Sequence, residues 1–360
     1  MLRLGISPSI ANHSRVTHGG IYSAGLKLDK KTLDFSSNVN PLGFPSSIKN
    51  SMRKSHALFS VYPDSDSAQL RYKLEKYIAV PKDQITVGNG ATEIIYNFCN
   101  AFLKGRNSLI PIPTFGEYES AARLNGSRIH HFKTMNLNHD IDSFLDRIGK
   151  NQCIFICNPN NPTGSLTSQK NMLNILETAH DNSSLVFMDE CFIELSSKPE
   201  ESIVPNLHRF ENLFVLRSLT KSFGLAGLRV GYGLGSKKMI EILNKIKIPW
   251  NVSGIAQDAA VKALSNKSYI EKTRRLVEKE RNFLKDSISK SGKFQCYDSD
   301  ANFILIKSKI NSRKLQKKLL EKNILIRDCS SFKGLGDKFI RIAVRTHREN
   351  QKLVKEMGRA

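Results

Sequence analysis

One lysine of this basic chain lies beside an unusually small and apolar stretch, "SLTKSFGLAGLRVGYG", residues 218–233. A neutral lysine amine is a nucleophile that forms a Schiff base with an aldehyde, and Lys221 is placed to do so. Ser218 before it offers a hydroxyl, and Arg229 after it offers a fork-shaped cation that suits a phosphate. An aldehyde that also carries a phosphate is pyridoxal 5'-phosphate (PLP), so the spacing predicts a PLP-bearing lysine.

Such a cofactor needs an acidic partner for its pyridine nitrogen, and Asp189 is the candidate. Asp189 ends the apolar run "SLVFMD", where an unpaired buried carboxylate would be costly. A carboxylate facing the ring nitrogen would hold the proton there. A helix N-cap or a salt bridge is the structural alternative for the same residue.

Three further motifs supply candidate contacts. "GNGATE", residues 88–93, follows a short strand and opens a helix, so its amides can receive a phosphate, although many turns look alike. "NPNNPTG", residues 158–164, is more specific, because its prolines and final glycine fix a loop that leaves Asn161 able to donate to the cofactor ring oxygen. Phe115, in "PTFGEY", is a candidate stacking residue or an ordinary core aromatic.

The elements that must position these residues read as an α/β fold. Short apolar runs rich in β-formers alternate with helical periodicity, and an amphipathic helix at 168–181 separates two of them. This order predicts a mostly parallel sheet with helices on both faces, whose ligands collect at the carboxyl ends of the strands. The predicted strands are 107–112, 153–158, 184–190 and 212–218, and candidate site residues lie at the ends of the last three.

The two ends of the chain differ from its middle. A long helical segment at 269–289 precedes short strand-like runs at 302–307, 324–329 and 339–345, which predicts a smaller α+β domain. The first 45 residues are rich in turn formers and predict an arm that crosses between domains or reaches a partner subunit. The predicted division is an N-terminal arm at 1–45, a large PLP-binding domain at 46–255 and a small domain at 256–360.

Composition narrows the class of protein. The formal net charge of +22 raises the possibility of nucleic-acid binding, but the lysines are spread along the chain and no nucleic-acid-binding signature is present. The charge therefore indicates a lysine-rich surface that would also attract an anionic substrate. The six cysteines have no metal-site spacing and read as buried free thiols. No apolar run approaches a membrane span and no secretory signal opens the chain, so we expect a cytoplasmic protein without metal, membrane or nucleic-acid partners.

Taken together, residues from about 18 to 345 resemble the fold type I PLP enzymes of the class I/II aminotransferase superfamily, with the motifs in the expected order. The resemblance makes Lys221 the catalytic lysine that carries the cofactor, Asp189 the pyridine partner and Asn161 the donor to the ring hydroxyl. It also implies a homodimer with shared active sites, in which Tyr62 reaches the neighbouring subunit's cofactor phosphate. The remaining phosphate contacts that it implies are Ala91, Thr92, Ser218, Thr220 and Arg229.

Two branches of that superfamily are similar to this chain: histidinol-phosphate aminotransferases and the L-threonine-O-3-phosphate decarboxylases of cobalamin biosynthesis. "HGG" at 18–20, "LDFSSNVNPLG" at 33–43 and "ILIRDCSSFKGL" at 324–335 look like the decarboxylase blocks. Phe192 stands where the aminotransferase typically has a tyrosine. The resemblance thus favours decarboxylation to (R)-1-amino-2-propanol O-2-phosphate, with histidinol-phosphate or related transamination as the alternative.

The same resemblance assigns the substrate contacts. It places the substrate α-carboxylate on Arg341 and the substrate phosphate near Arg327, with His18 and Asn38 closing over it. His18 has a plain surface histidine as its alternative, and Arg345 is as compatible with a structural salt bridge as with a site. The sequence as a whole predicts a PLP enzyme for a small phosphorylated amino acid.

Overall fold

The structure is a computed structural model that describes residues 8–28, 31–49 and 55–359. Its strands are β1 Leu33–Asp34, β2 Ile85–Asn89, β3 Asn107–Ile112, β4 Ile129–Lys133, β5 Gln152–Cys157, β6 Leu185–Asp189, β7 Leu213–Ser218, β8 Val230–Gly235, β9 Phe294–Cys296, β10 Phe303–Ser308, β11 Ile324–Leu325, β12 Arg327–Asp328 and β13 Phe339–Ala343. The α-helices with bounds inside the described residues are α1 Pro8–Ala11, α2 Ala68–Ile78, α3 Gly90–Phe102, α4 Glu117–Leu124, α5 Ile141–Leu145, α6 Gln169–Asp181, α7 Leu219–Ser222, α8 Lys237–Ile246, α9 Gly254–Ala263, α10 Lys267–Ser289, α11 Ser312–Leu320 and α12 His347–Arg359.

The larger sheet has seven strands in the order β2-β8-β7-β6-β5-β3-β4. All its pairings are parallel except those of β8, which runs antiparallel to both β2 and β7. Every residue of β7 and all but the first of β5 are buried, which is why these central strands read as continuous apolar runs rather than alternating ones. The predicted α/β class and mostly parallel sheet are confirmed, and the four predicted strands agree with the structure to within one residue at each end.

Helices cover both faces of this sheet. On one face lies α6, which is capped by Ser168, whose hydroxyl accepts a hydrogen bond from the Asn171 amide. This helix buries Met172, Ile175, Leu176 and Ala179. That face joins one apolar core, and the other face forms a second core rich in phenylalanine. The buried aromatic members of the second core are Phe98, Tyr118, Phe155, Phe187, Phe192, Phe214 and Phe303.

A smaller antiparallel sheet, β12-β13-β10-β9, is built from the C-terminal third of the chain. Its core includes Leu284 of α10, Leu353 of α12 and, from the N-terminal part of the chain, Phe35. β1 adds to this region by pairing in parallel with β11. The predicted small α+β region is therefore present; the boundaries drawn at residues 45 and 255 stay predictions, and residues 1–7 and 29–30 of the predicted arm lie outside the described residues.

The run at 324–329 is not the single strand that its composition indicates. It divides at the buried Ile326 into β11, which pairs with β1, and β12, which pairs with β13 in the other sheet. The reason is that β11 pairs with β1, which lies some 290 positions earlier in the chain. A local sequence pattern cannot predict such a pairing.

The carboxyl ends of the central strands meet at one edge of the large sheet. Asp189 is the register partner of Cys157 on one side and of Leu216 on the other. The loop after β5 and the short helix α7 after β7 therefore begin beside Asp189. In the described part of the chain, no helix has the length and apolar character needed to cross a membrane.

Candidate active site

A cavity of about 950 Å³ opens at this edge of the sheet. Its walls come from the strand ends, from the N-terminal segment and from β12 and β13 of the small sheet. The structure brings thirteen of the fourteen predicted site residues together there: His18, Asn38, Ala91, Thr92, Phe115, Asn161, Asp189, Ser218, Thr220, Lys221, Arg229, Arg327 and Arg341. Tyr62 lies outside this cavity.

Lys221 lies in α7, the single helical turn that follows β7. Ser218 caps this turn, because its Oγ accepts from the Thr220 amide at 3.2 Å and lies 2.7 Å from the Thr220 hydroxyl. Burial lowers the pKa of Lys221 to about 8, an effect to which the cations of Arg341 and Arg229 add. A substantial fraction of the amine is therefore neutral near physiological pH, which is the form that attacks an aldehyde.

Asp189 is buried at the floor of the cavity, where its carboxylate accepts two hydrogen bonds. The Tyr118 hydroxyl donates to Oδ2 at 2.6 Å, and the Cys191 amide donates to Oδ1 at 2.8 Å. Burial raises the pKa of Asp189, while these donors and the charge of Lys221 oppose the shift. Asp189 forms no ion pair with any described residue, so the salt bridge considered as its alternative is not seen in that part of the chain.

The start of α3 forms a cradle with Arg229. Gly90 has φ +79°, and a Cβ at that position would collide with the Arg229 guanidinium. A Cβ on Gly231 would lie 2.6 Å from the Ala91 nitrogen, so glycine is needed there for β8 to pass close to the helix start. Arg229 itself has φ +58°, at the end of a turn closed by the Leu225 carbonyl, and this turn brings the guanidinium back over Gly90. Free helix-start amides beside a cation are a binding site for a phosphate dianion.

Asn161 lies in the loop after β5, where Gly164 has φ +78° as its turn position requires. The Oδ1 atom of Asn161 accepts a hydrogen bond from Nη1 of Arg341. Its amide nitrogen is therefore the group left to donate to a cofactor oxygen. Phe192 lines the same wall and packs edge-on against Phe303, with ring centroids 5.1 Å apart, so it brings no hydroxyl to this part of the cavity.

Each chemical group of PLP thus has a matching residue in the cavity. The buried amine of Lys221 suits the aldehyde, the buried carboxylate of Asp189 suits the protonated pyridine nitrogen, and the glycine-opened cradle beside Arg229 suits the phosphate. Phe115 is half-buried in the cavity wall, with its ring edge-on to Tyr118 at 5.6 Å, so its predicted stacking on the cofactor stays a prediction.

Two buried arginines enter the cavity from the small sheet. Arg327 and Arg341 are Cα partners on β12 and β13, so their side chains leave the same face of the sheet. Arg341 donates from Nη2 to the Ser36 carbonyl at 2.8 Å, and its buried Nε has no hydrogen-bond partner among the described residues. Burial lowers the pKa of Arg341 to about 10 and also lowers that of Arg327. Neither guanidinium forms an ion pair with a carboxylate of a described residue, so both are available to an anionic ligand.

The N-terminal segment closes over these arginines. Arg327 donates to the carbonyl of Thr17 at 2.6 Å and to that of His18 at 2.7 Å. The His18 Nε2 atom lies 2.7 Å from Oε1 of Glu117. Asn38, 3% exposed, leaves its Oδ1 without a partner among the described residues. His18 thus lines the cavity with its side chain 46% exposed, and its predicted contact with the substrate stays a prediction.

Two residues of the site, Tyr118 and Glu117, were not predicted from the sequence. Both lie in the quoted motif "PTFGEY", and a polar residue at the start of a helix is the only signal that could have marked them.

Two further arginine and tyrosine residues lie outside the cavity. Arg345 pairs with Glu349 at 2.8 Å and is not among the cavity residues, which matches the structural alternative. Tyr62 is 80% exposed, and its ring lies 4.7 Å from that of Trp250 on the protein surface.

Comparison with known proteins agrees with this geometry. The family described as aminotransferase class I and II matches residues 30–357. A histidinol-phosphate aminotransferase of Methanothermobacter thermautotrophicus is 33% identical over 342 residues, covering 93% of this chain and 90% of the relative. A protein named as a putative threonine-phosphate decarboxylase of Caldanaerobacter subterraneus is 35% identical over 326 residues, covering 89% and 88%.

A solved structure extends the likeness to three dimensions. The L-threonine-O-3-phosphate decarboxylase from Porphyromonas gingivalis superposes with a TM-score of 0.82 at 27% identity, covering 90% of this chain and 97% of that one. The match of the family over most of the chain, and the groups gathered around Lys221, lead to the same conclusion. This chain belongs to the class I and II aminotransferase family, whose enzymes use pyridoxal 5'-phosphate.

Proposed function

We propose that this protein binds PLP on Lys221 and decarboxylates L-threonine O-3-phosphate. The observation that carries the proposal is the pair of buried guanidiniums, Arg327 and Arg341, that share one sheet face and one cavity with the amine of Lys221. Two unneutralised cations beside a reactive amine match an amino acid that carries a second anionic group. L-Threonine O-3-phosphate has both an α-carboxylate and a phosphate.

The contacts of the two arginines indicate a different role for each. Arg341, anchored by the Ser36 carbonyl and by Asn161, would bind the α-carboxylate in a fixed orientation. Arg327 would bind the phosphate at the outer end, next to His18. Asn38, whose buried Oδ1 lacks a partner in the described chain, has its amide on the same wall and completes the enclosure.

PLP, when bound, supplies an electron sink for the electron pair of a bond broken at the substrate α-carbon. The carboxylate of Asp189 would keep the proton on the pyridine nitrogen, which strengthens that sink. The amine of Lys221, with its pKa lowered to about 8, can take up or deliver a proton near neutral pH at the face of the cavity where it lies. In decarboxylation the α-carboxylate leaves as CO₂, and a proton takes its place on the α-carbon.

The choice of decarboxylation rests on the N-terminal segment and on Phe192. His18 and its neighbours cover the outer cavity, as the decarboxylase-like "HGG" block implies. Phe192 brings no hydroxyl to the ring-oxygen side of the site, where the aminotransferase branch typically has a tyrosine. Asn161 would be the side chain that donates to that oxygen.

Transamination of histidinol phosphate is the second candidate, and the relatives favour it over the first. Histidinol-phosphate aminotransferases outnumber decarboxylases among relatives of similar identity, as those of Methanococcus aeolicus and Ruminiclostridium cellulolyticum illustrate at 32% and 34%. The two arginines suit this reaction too, because the amino donor or acceptor of a transaminase is commonly a dicarboxylate.

One experiment separates the two candidates. The purified PLP-loaded enzyme is incubated with L-threonine O-3-phosphate and, in a separate reaction, with histidinol phosphate. Each reaction is run with and without 2-oxoglutarate, and the products are identified by mass spectrometry. Release of CO₂ and an amino-propanol phosphate without 2-oxoglutarate supports decarboxylation. Formation of glutamate from histidinol phosphate and 2-oxoglutarate, with no CO₂ from threonine phosphate, replaces it with the second candidate.

We further propose a homodimer with shared active sites. Tyr62, Trp250 and Phe59 are exposed apolar side chains close in sequence or space, and Tyr62 contributes nothing to the cavity of its own chain. Their exposure is consistent with a surface that a second copy covers, where Tyr62 would reach the partner's cofactor phosphate. Measurement of the molecular mass in solution tests the dimer.

A further inference from the structure

Glu117, the first residue of α4, is a buried carboxylate that no part of the proposed reaction uses. It is 6% exposed, and both of its oxygens are engaged by side chains from other parts of the chain. Oε1 lies 2.7 Å from Nε2 of His18, and Oε2 accepts from the Tyr96 hydroxyl at 2.6 Å. A buried carboxylate that meets a histidine at a cavity wall is arranged for more than packing.

His18 is held from two sides. Its backbone carbonyl accepts from Arg327, as does that of Thr17, and its ring is fixed by Glu117. The second ring nitrogen, Nδ1, forms no hydrogen bond with any residue that the structure describes. The ring lies in the wall of the cavity, so Nδ1 is the polar atom that His18 has left for a ligand.

The His18 ring lies beside a network of charged and polar side chains. The groups that face it are Glu117 from α4, Tyr96 from α3 through the shared carboxylate, and Arg327 from β12 at the backbone carbonyl; His13 reaches the same network through Ser120. Burial alone would raise the pKa of Glu117, but the hydrogen bonds from His18 and Tyr96 lower it, so this carboxylate is ionised at neutral pH. An ionised carboxylate accepts a hydrogen bond from Nε2 and so fixes the orientation of the ring.

We propose that Glu117 is a positioning residue that fixes the orientation of the His18 ring through Nε2, so that Nδ1 is presented to the phosphate group of the substrate. His18 and Arg327 then both contact the phosphate at the same end of the cavity, and Glu117 acts only through His18. This inference rests on the proposed function in one respect, the presence of a phosphate on the substrate, and it holds for either phosphorylated substrate.

The experiment uses the PLP-loaded enzyme and a ligand that cannot be turned over. 3-Phospho-D-glycerate has a carboxylate and a phosphate but no amino group, and D-glycerate is its counterpart without phosphate. Calorimetry gives both dissociation constants for wild type and for Glu117→Gln, which keeps the side-chain volume and removes the charge. We expect roughly tenfold or greater weakening for phosphoglycerate and little change for glycerate, as the loss of one charge-assisted hydrogen bond implies.

The comparison of the two ligands supplies a readout that a purely structural role would not move. Only phosphoglycerate carries the group that His18 would contact, so a loss confined to phosphoglycerate places the effect of Glu117 at the phosphate.

His18→Asn tests the same inference without altering the buried site. The His18 side chain is 46% exposed, so its replacement disturbs little packing. We expect it to lose the same preference, and Glu117→Gln added to it should cause no further loss. Glu280→Gln is the matched control, since Glu280 is a buried carboxylate 3.0 Å from His347 but neither residue lines the cavity.

Two outcomes overturn the proposal. Unchanged phosphoglycerate affinity in His18→Asn would remove the histidine from the phosphate site, whether or not Glu117→Gln folds. Equal weakening for phosphoglycerate and glycerate in Glu117→Gln would give the carboxylate a structural role alone. Neither outcome bears on whether threonine phosphate is decarboxylated, because that is decided by product analysis on the wild-type enzyme.

Discussion

Tyr118 and Asp189, 71 positions apart in the sequence, are joined by a 2.6 Å hydrogen bond from the tyrosine hydroxyl to Oδ2 of the carboxylate. Both side chains are buried. Burial raises the pKa of Asp189, and this hydrogen bond is one of the effects that oppose the rise. The proposed role of Asp189 as the partner of a protonated pyridine nitrogen needs the ionised form. We therefore expect removal of the Tyr118 hydroxyl to have a measurable effect on PLP binding.

Tyr118→Phe removes only this hydroxyl. The pKa of Asp189 should rise further, and PLP should bind roughly tenfold more weakly, as expected for a lost hydrogen bond to a charged group. Titration of apoprotein with PLP, followed by visible absorbance, measures the affinity. Tyr77→Phe is the control, because it removes another tyrosine-to-carboxylate bond, of 2.8 Å to Glu194, outside the cavity. Equal PLP affinity in Tyr118→Phe and wild type would contradict the prediction.

Lys221 should make the apoprotein less stable at neutral pH. Its folded-state pKa of about 8 lies below its ordinary value of 10.5, so below pH 8 the folded state carries a buried charge that costs about 3 kcal/mol. Between pH 8 and 10.5 the unfolded state binds more protons, and wild-type stability rises with pH relative to a variant without the amine. Lys221→Met apoprotein should therefore be the more stable at pH 7, with the gap closing towards pH 10.5.

Urea denaturation of both apoproteins at a series of pH values checks this expectation. Lys237→Met serves as control, because Lys237 is 65% exposed and its replacement removes a lysine from the protein surface rather than from the cavity. A gap for Lys221→Met that stays constant from pH 7 to pH 10 would show that the buried amine is not the cause.

Arg341→Ala should weaken the binding of the amino-acid substrate and leave PLP bound. Loss of a buried charged donor to a carboxylate implies a rise in KM of roughly ten- to a hundredfold. Arg345→Ala, four positions along the same segment, removes an arginine whose partner is Glu349 rather than a cavity group, and KM should not change. Steady-state kinetics and the visible absorbance of the bound cofactor give the two readouts. If KM in Arg341→Ala equals that of wild type, the carboxylate binds elsewhere.

Mixed dimers test whether Tyr62 serves the neighbouring subunit. Lys221→Ala should abolish the visible absorbance band of covalently held PLP, and Tyr62→Phe should weaken PLP binding through a lost phosphate contact. In a hybrid of the two variants, one site combines both defects and the other combines an intact Lys221 with an intact Tyr62. Half of the sites should therefore bind PLP with wild-type affinity. A hybrid whose occupied sites all retain the Tyr62→Phe affinity would place Tyr62 at its own subunit's site or at none.

The position of Asn161, Asp189 and Lys221 at one edge of the sheet could be predicted from sequence, because these residues follow or end strands whose apolar runs are easy to recognise. Asn161 follows β5, Asp189 ends β6 and Lys221 follows β7, and parallel strands bring their carboxyl ends to one edge. In each case the local sequence pattern predicts the strand, and the regular geometry of a parallel sheet brings the strand ends together.

Tertiary structure alone decided the contacts between distant segments. The pairs Glu117 with His18 and Tyr118 with Asp189 join residues 99 and 71 positions apart. The division of 324–329 at Ile326 depends on β1, whose own sequence gives no indication of its partner. Periodicity and turn chemistry report what a segment does with its neighbours in the chain. The ionisation of a carboxylate or an imidazole depends instead on which groups the fold packs against it, so the residues that tune this site became visible only in three dimensions.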